Sequence, residues 1–138
     1  MTWLTGWNRR KSVIVNGSTY GSLSNYQIKI IAHKSTGTDT VTDVYLGTNV
    51  RDDFGDVRFT KSDGSSLLNY WIESYTSGSV ATIWIQLAPS PDTIPVSPGT
   101  YTFYIYYDNS GQTTTSSGIN TFLFFDDFNR ADANPISG

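Results

Sequence analysis

The side chains best suited to chemistry cluster in one stretch, DVRFTKSDGSSLLNYWIES, residues 56–74, where Asp56, Arg58 and Glu73 accompany Tyr70 and Trp71. Such a set fits three different tasks. Paired carboxylates cleave glycosidic bonds when their separation is right. Planar rings flanked by amides and charges hold sugars, because sugar C–H faces stack on aromatics while hydroxyls need donors and acceptors. An arginine and a glutamate on neighbouring strands can simply pair across the sheet.

Catalysis finds little support. Of the acids, Asp52, Asp53, Asp56, Asp63, Asp126 and Asp127 mostly lie in turn-like stretches, where aspartate commonly bonds nearby backbone; Glu73 alone sits on a strand beside an aromatic. There is no cysteine, and the one histidine, His33, stands at a strand end next to Lys34, so an activated nucleophile has few partners. Neither a phosphate-cradling glycine loop nor a zinc ligand set occurs. The expectation is a non-enzymatic chain. RDDFGD followed by KSDG is rich in oxygen ligands, which makes structural calcium the one cofactor to consider, although the closing glutamate of an EF-hand loop is missing. NGS at residues 16–18 matches a glycosylation acceptor and equally reads as a turn.

The elements that must position these residues are strands. Period-2 runs recur between turn signals, the pattern of an all-β sandwich or barrel. RRKSVIV (residues 9–15) ends at Asn16-Gly17, NYQIKIIA (25–32) alternates apolar and polar positions, and DTVTDVYLG (39–47) follows. VRFT (57–60) and LLNYWIES (67–74) come next and are expected to make residues 56–74 one hairpin with Asp63-Gly64 in its turn, followed by VATIWIQL (80–87), then TYTFYIYY (100–107) after a proline-rich connection, and finally, beyond a polar linker QTTTSSGI (112–119), NTFLFFDDF (120–128). About eight strands without an amphipathic helix make an antiparallel β-sandwich the economical architecture, jelly-roll-like by first choice, with an immunoglobulin-type order as the alternative.

Alternation also assigns faces. Val57, Phe59, Leu68, Tyr70 and Ile72 form one apolar set, as do Ala81, Ile83, Ile85 and Leu87, and Tyr101, Phe103, Ile105 and Tyr107. The opposite faces then carry Trp71, Trp84, Tyr104 and Tyr106, flanked by Asn69, Arg58, Gln86 and Glu73. These eight are the candidate carbohydrate-binding residues. Arg58 and Glu73 are expected to be within reach of each other across strands.

Composition narrows the partners. The formal net charge is -3 and charged residues make up 15% of the chain, which excludes the basic stripe that nucleic acid requires. No apolar run approaches the roughly 18 residues of a membrane span, so membrane insertion is not expected. The N-terminal MTWLTGWNRRK has no signal-peptide core. Ser, Thr, Asn and Gly take the place of charge, and aromatics reach 14%, a mixture typical of secreted or cell-surface β-modules.

An ordered series of motifs resembles the bacterial and archaeal domain-of-unknown-function family 2341: Trp7 with Arg9-Arg10, NYQIKI, GDVRFTKSDGSSLLNYWIES, IWIQL, YYDNS and FLFFDDF. The similarity runs over residues 7–128, giving one module at 1–128 and a linker or the start of a following domain at 129–138; FFDDFNRADANP looks like the entry to a concanavalin-like domain. The resemblance implies a non-catalytic module of a large secreted or surface protein. The leading expectation is therefore carbohydrate binding, with a polysaccharide or glycan as partner. The alternative is a structural or adhesive module that assembles with other surface-protein modules.

Overall fold

The computed structural model describes residues 2–126. Its elements are β1 (Arg9–Asn16), β2 (Tyr26–His33), β3 (Asp43–Tyr45), β4 (Arg58–Lys61), β5 (Tyr70–Thr76), β6 (Val80–Leu87), β7 (Thr100–Tyr107) and one helical turn, α1 (Gly118–Thr121). Two sheets form, β1-β7-β4 and β3-β2-β6-β5, and the molecule is an all-β sandwich. All its named strand pairs are antiparallel except β2 with β3, where Ile31, Ala32 and His33 run parallel to Asp43, Val44 and Tyr45. The chain stays within one sheet only from β2 to β3 and from β5 to β6.

The apolar alternation read from the sequence becomes the core. Ala81, Ile83, Ile85 and Leu87 of β6 are buried, and so are Phe103, Ile105 and Tyr107 of β7, together with Val57, Phe59, Leu68 and Tyr70. Ile30 and Ala32 of β2 join them. Each large side chain fully removed from water stabilises the sandwich by about 1.5–3 kcal/mol.

Three expectations change. Seven strands form among the described residues, because the described part of the segment expected as the last one, residues 120–126, does not pair. The Ser117 side chain accepts the Asn120 N–H and caps a helical turn there, and residues 122–126 continue without a strand partner. Secondly, residues 56–74 do not make one hairpin. Leu68 N–H donates to Phe59 O at 2.8 Å and Lys61 N–H to Ser66 O at 2.9 Å, closing a short local turn around Asp63-Gly64. The chain then crosses to the other sheet, so β4 and β5 belong to different layers. Arg58 and Glu73 consequently form no pair. Alternation gives the face of a strand within its own sheet, but it is silent about which sheet the strand joins.

The third change concerns the polar stretch QTTTSSGI, expected as a linker. Residues 113–117 instead run along the open edge between β4 and β5. Arg58 Nη2 donates to Thr113 O at 2.7 Å, Thr115 N–H to Tyr70 Oη at 3.1 Å, Ile72 N–H to Ser116 Oγ at 2.7 Å, and Ser117 N–H to Tyr70 O at 2.8 Å. Edge strands leave backbone groups unpaired, and a covering segment is one way to satisfy them. Replacing Tyr70 by Phe keeps the ring in the core and removes the shared hydroxyl. We expect a loss of about 1–2 kcal/mol in urea unfolding, with faster amide exchange at Thr115; an unchanged Thr115 exchange rate would show that the hydroxyl does not hold this segment.

Candidate functional site

The candidate residues separate onto opposite sides of the sandwich. Arg58, Tyr104 and Tyr106 lie on the outer side of β1-β7-β4, where Arg58 is the register partner of Tyr106. Asn69, Trp71, Glu73, Trp84 and Gln86 lie on the outer side of β3-β2-β6-β5. A single eight-residue site is thus ruled out by topology.

The first group is sealed. Tyr106 is fully buried; its hydroxyl donates to Gly64 O at 2.7 Å and accepts from Arg10 Nη1 at 2.8 Å. Tyr104 is half-buried, with the Arg10 guanidinium 4.1 Å above its ring and Trp3 packed on the other side of that cation at 4.3 Å. Arg58 is only 5% exposed and donates to Gly55 O at 3.0 Å, Val57 O at 2.7 Å and Thr113 O. What covers this face is the N-terminal segment: Trp7 Nε1 donates to Asp56 O at 2.6 Å, and the Arg58 guanidinium lies 5.4 Å from the Trp7 ring. Period-2 reasoning marked these residues as facing away from the core, which is correct, but it could not see that another segment folds over them.

Asp56 belongs to this sealed region and has a role that the sequence did not disclose. Its carboxylate has no solvent exposure and accepts three backbone N–H groups, from Arg51 at 3.0 Å, Asp108 at 3.0 Å and Asn109 at 3.1 Å. A buried carboxylate is tolerable when donors replace its lost water. Nearby, the Arg51 guanidinium makes two contacts with Asp53, at 2.9 and 3.0 Å, and pulls that carboxyl from 3.8 down to about 2. Lys34 takes Asp52, and Asp63 accepts the Ser65 and Ser66 N–H groups. The acids of RDDFGD and KSDG therefore face protein donors. Among the described residues no three His, Cys, Asp or Glu side chains converge as a metal site.

His33 is also accounted for structurally. It stacks on its strand neighbour Tyr45 at 4.4 Å, and its Nε2 meets Asp43 at 2.7 Å, a contact that lowers the Asp43 carboxyl below its usual range.

The second group stays together. Trp71 and Trp84 are direct register partners on β5 and β6, and Lys29 of β2 is the next residue in that row. A bulge between Ile72 and Ser74 displaces Glu73, whose Oε2 accepts the Trp84 indole N–H at 3.1 Å. Asn69 Nδ2 donates to Gln86 Oε1 at 3.3 Å one row away. Both tryptophans are half-buried, because the C-terminal segment returns over them. Phe122 packs edge-on against Trp71 at 5.9 Å and Trp84 at 5.6 Å, and Phe125 against Trp71 at 4.8 Å. These packed rings line one side of an open groove of about 300 Å³, whose lining also includes Glu73, Phe124 and Asp126. The phenylalanines were visible in FLFFDDF, but reading that segment as a strand hid their place in the site.

A two-sheet module with one sealed outer face and one partly open aromatic face is the class of protein defined here. Residues 53–136 match a domain of unknown function (DUF2341), and the chain belongs to that family. The matched stretch takes in β4 to β7 and the segment that covers the tryptophans. No curated protein and no solved structure matches the chain. The expected concanavalin-like entry, residues 124–135, falls largely outside the described residues.

Two measurable consequences follow from the acids. Asp56→Ala leaves three buried N–H groups without an acceptor and should cost about 3 kcal/mol or more in urea unfolding, whereas Asp56→Asn, which keeps one oxygen, should cost less. An equal loss in both variants would mean that the three bonds are not what the carboxylate contributes. Asp53, whose folded value lies below its ordinary one, adds stability at pH above 3.8 that disappears as pH falls through about 2. The stability gap between wild type and Asp53→Asn should accordingly close over that window in a pH series of unfolding midpoints. A gap independent of pH would remove the ion pair as its source.

Proposed function

We propose that this chain is a non-catalytic module of a larger secreted or cell-surface protein and that it binds carbohydrate on the outer face of β3-β2-β6-β5. The observation that carries the reading is the cross-strand pair Trp71–Trp84, half-exposed at an aromatic groove with the polar row Asn69–Gln86 beside it. Stacking rings bordered by amide and carboxylate groups suit a sugar's alternating C–H and O–H surface. The non-catalytic part of the proposal rests on how the acids and the histidine are used: Asp56, Asp53, Asp63 and His33 each serve a fold contact. Among the described residues no helix is long and apolar enough to cross a membrane.

One observation favours a second reading, a structural module that docks another protein. Phe124, which lines the groove, is 87% exposed, and Ile119 and Leu123 of the same covering segment are strongly exposed as well. Apolar side chains grouped in this way are a common feature of protein contact surfaces.

Tryptophan fluorescence during titration with soluble polysaccharides separates the two. Binding should quench or shift the emission, and Trp71→Ala and Trp84→Ala should each weaken it about tenfold. Silence across neutral and charged polysaccharides, together with concentration-dependent association in sedimentation, would instead establish the docking module.

A further inference from the structure

We propose that the groove lined by Trp71, Trp84, Phe122 and Phe125 is selective for an organic ammonium group, so that its sugar ligand is an amino sugar with a free amine or a glycan carrying a quaternary ammonium substituent. This rests on the carbohydrate reading for the polymer, but the recognition of the cation stands on the groove itself.

The groove has ring walls in two orientations. Phe122 and Phe125 lie within 22° of parallel, 6.2 Å apart, and both stand nearly perpendicular to Trp71, at 83° and 78°. Aromatic faces carry negative potential, and an open groove lined by several rings attracts a cation whose own shell is apolar. Glu73 adds a full negative charge to the lining, and its side chain is oriented by the Trp84 indole N–H that it accepts. Among the described residues no Lys, Arg or His lines the groove.

The molecule already displays this attraction on a small scale: the Lys29 ammonium sits 5.8 Å from the Trp84 ring centre, on the β2 side and not among the groove's lining residues. A neutral sugar would stack on the rings and donate hydroxyls to Glu73 without meeting its charge, and a uronate or sulfated sugar would be repelled by that charge. An ammonium uses rings and carboxylate together. Exposure to solvent keeps the effect modest and salt-sensitive.

The test uses the intact chain and four probes: tetramethylammonium, choline, a glucosamine oligomer at mildly acidic pH where its amines are charged, and the matching N-acetylglucosamine oligomer. Trp fluorescence and calorimetry read the binding. The glucosamine oligomer should bind roughly five-fold or more tightly than its acetylated counterpart, with affinity falling as salt is added. Glu73→Gln, which keeps an oxygen to accept the Trp84 indole, should erase most of that preference while leaving the unfolding midpoint near wild type. Binding of choline and tetramethylammonium without either oligomer would retain the ammonium site and overturn the sugar polymer as its carrier. Equal binding of both oligomers would overturn the ammonium preference and leave the carbohydrate reading standing. Binding of none of the four probes would overturn the ammonium site.

Discussion

The buried carboxylate of Asp56 is the contact on which the arrangement of the sealed half depends. Removing a carboxylate from water costs several kcal/mol unless its oxygens are met by donors. Here the donors come from separate parts of the chain: Arg51 in the middle of the loop before β4, and Asp108 and Asn109 just past the end of β7. Asp56's own carbonyl receives Trp7 from the N-terminal segment. Two residues later, Arg58 uses its guanidinium on carbonyls of the same loop and on Thr113. One short sequence, DVR, therefore draws together the N-terminal segment, the loop before β4, the end of β7 and the strip that closes the sheet edge.

This concentration of bonds explains why the two outer faces differ. The face of β1-β7-β4 carries Arg10, Tyr104 and Tyr106, and the N-terminal tryptophans complete a packed cation and ring cluster over it. Stacking of Arg10 between Trp3 and Tyr104 leaves little of that surface for a ligand. The opposite face is covered more lightly. Its cover, Phe122 and Phe125, comes from a segment that makes ring contacts with Trp71 and Trp84 and leaves an open groove beside them.

The sequence made the core legible and the coverings illegible, for a physical reason. In β6 and β7 a strict alternation reports a strand with one apolar face, and both bounds, Val80–Leu87 and Thr100–Tyr107, agree with the structure. Arg58 and Asp56 alternate out of the core equally well, and yet both are buried, since burial on the outer face depends on distant segments that alternation does not encode. Trp71, Trp84, Glu73, Asn69 and Gln86 lie together because they share neighbouring strands of one sheet. Tyr104, Tyr106 and Arg58 were grouped with them wrongly, since nothing local in VRFT or LLNYWIES states that the chain changes sheet between them. FLFFDDF misled for a related cause: an apolar run without alternation is compatible with a buried strand and with a segment laid across a sheet.

The stretch of residues 56–74 thus acts on the aromatic groove from a distance. Tyr70 and Arg58 hold residues 113–117 against the open edge, and Ser117, at the end of that strip, caps the helical turn α1. Thr121 closes the turn with its hydroxyl on Ser117 O, and its carbonyl accepts from Gln27 on the outer face of β2. Phe122 follows immediately and meets both tryptophans. The walls of the groove are consequently set by an unbroken series of contacts that begins at Arg58, although that side chain lies in the other sheet and never touches the groove. Alternation marks Arg58 as a ligand-binding group; its position makes it a support for the segment that shapes the site.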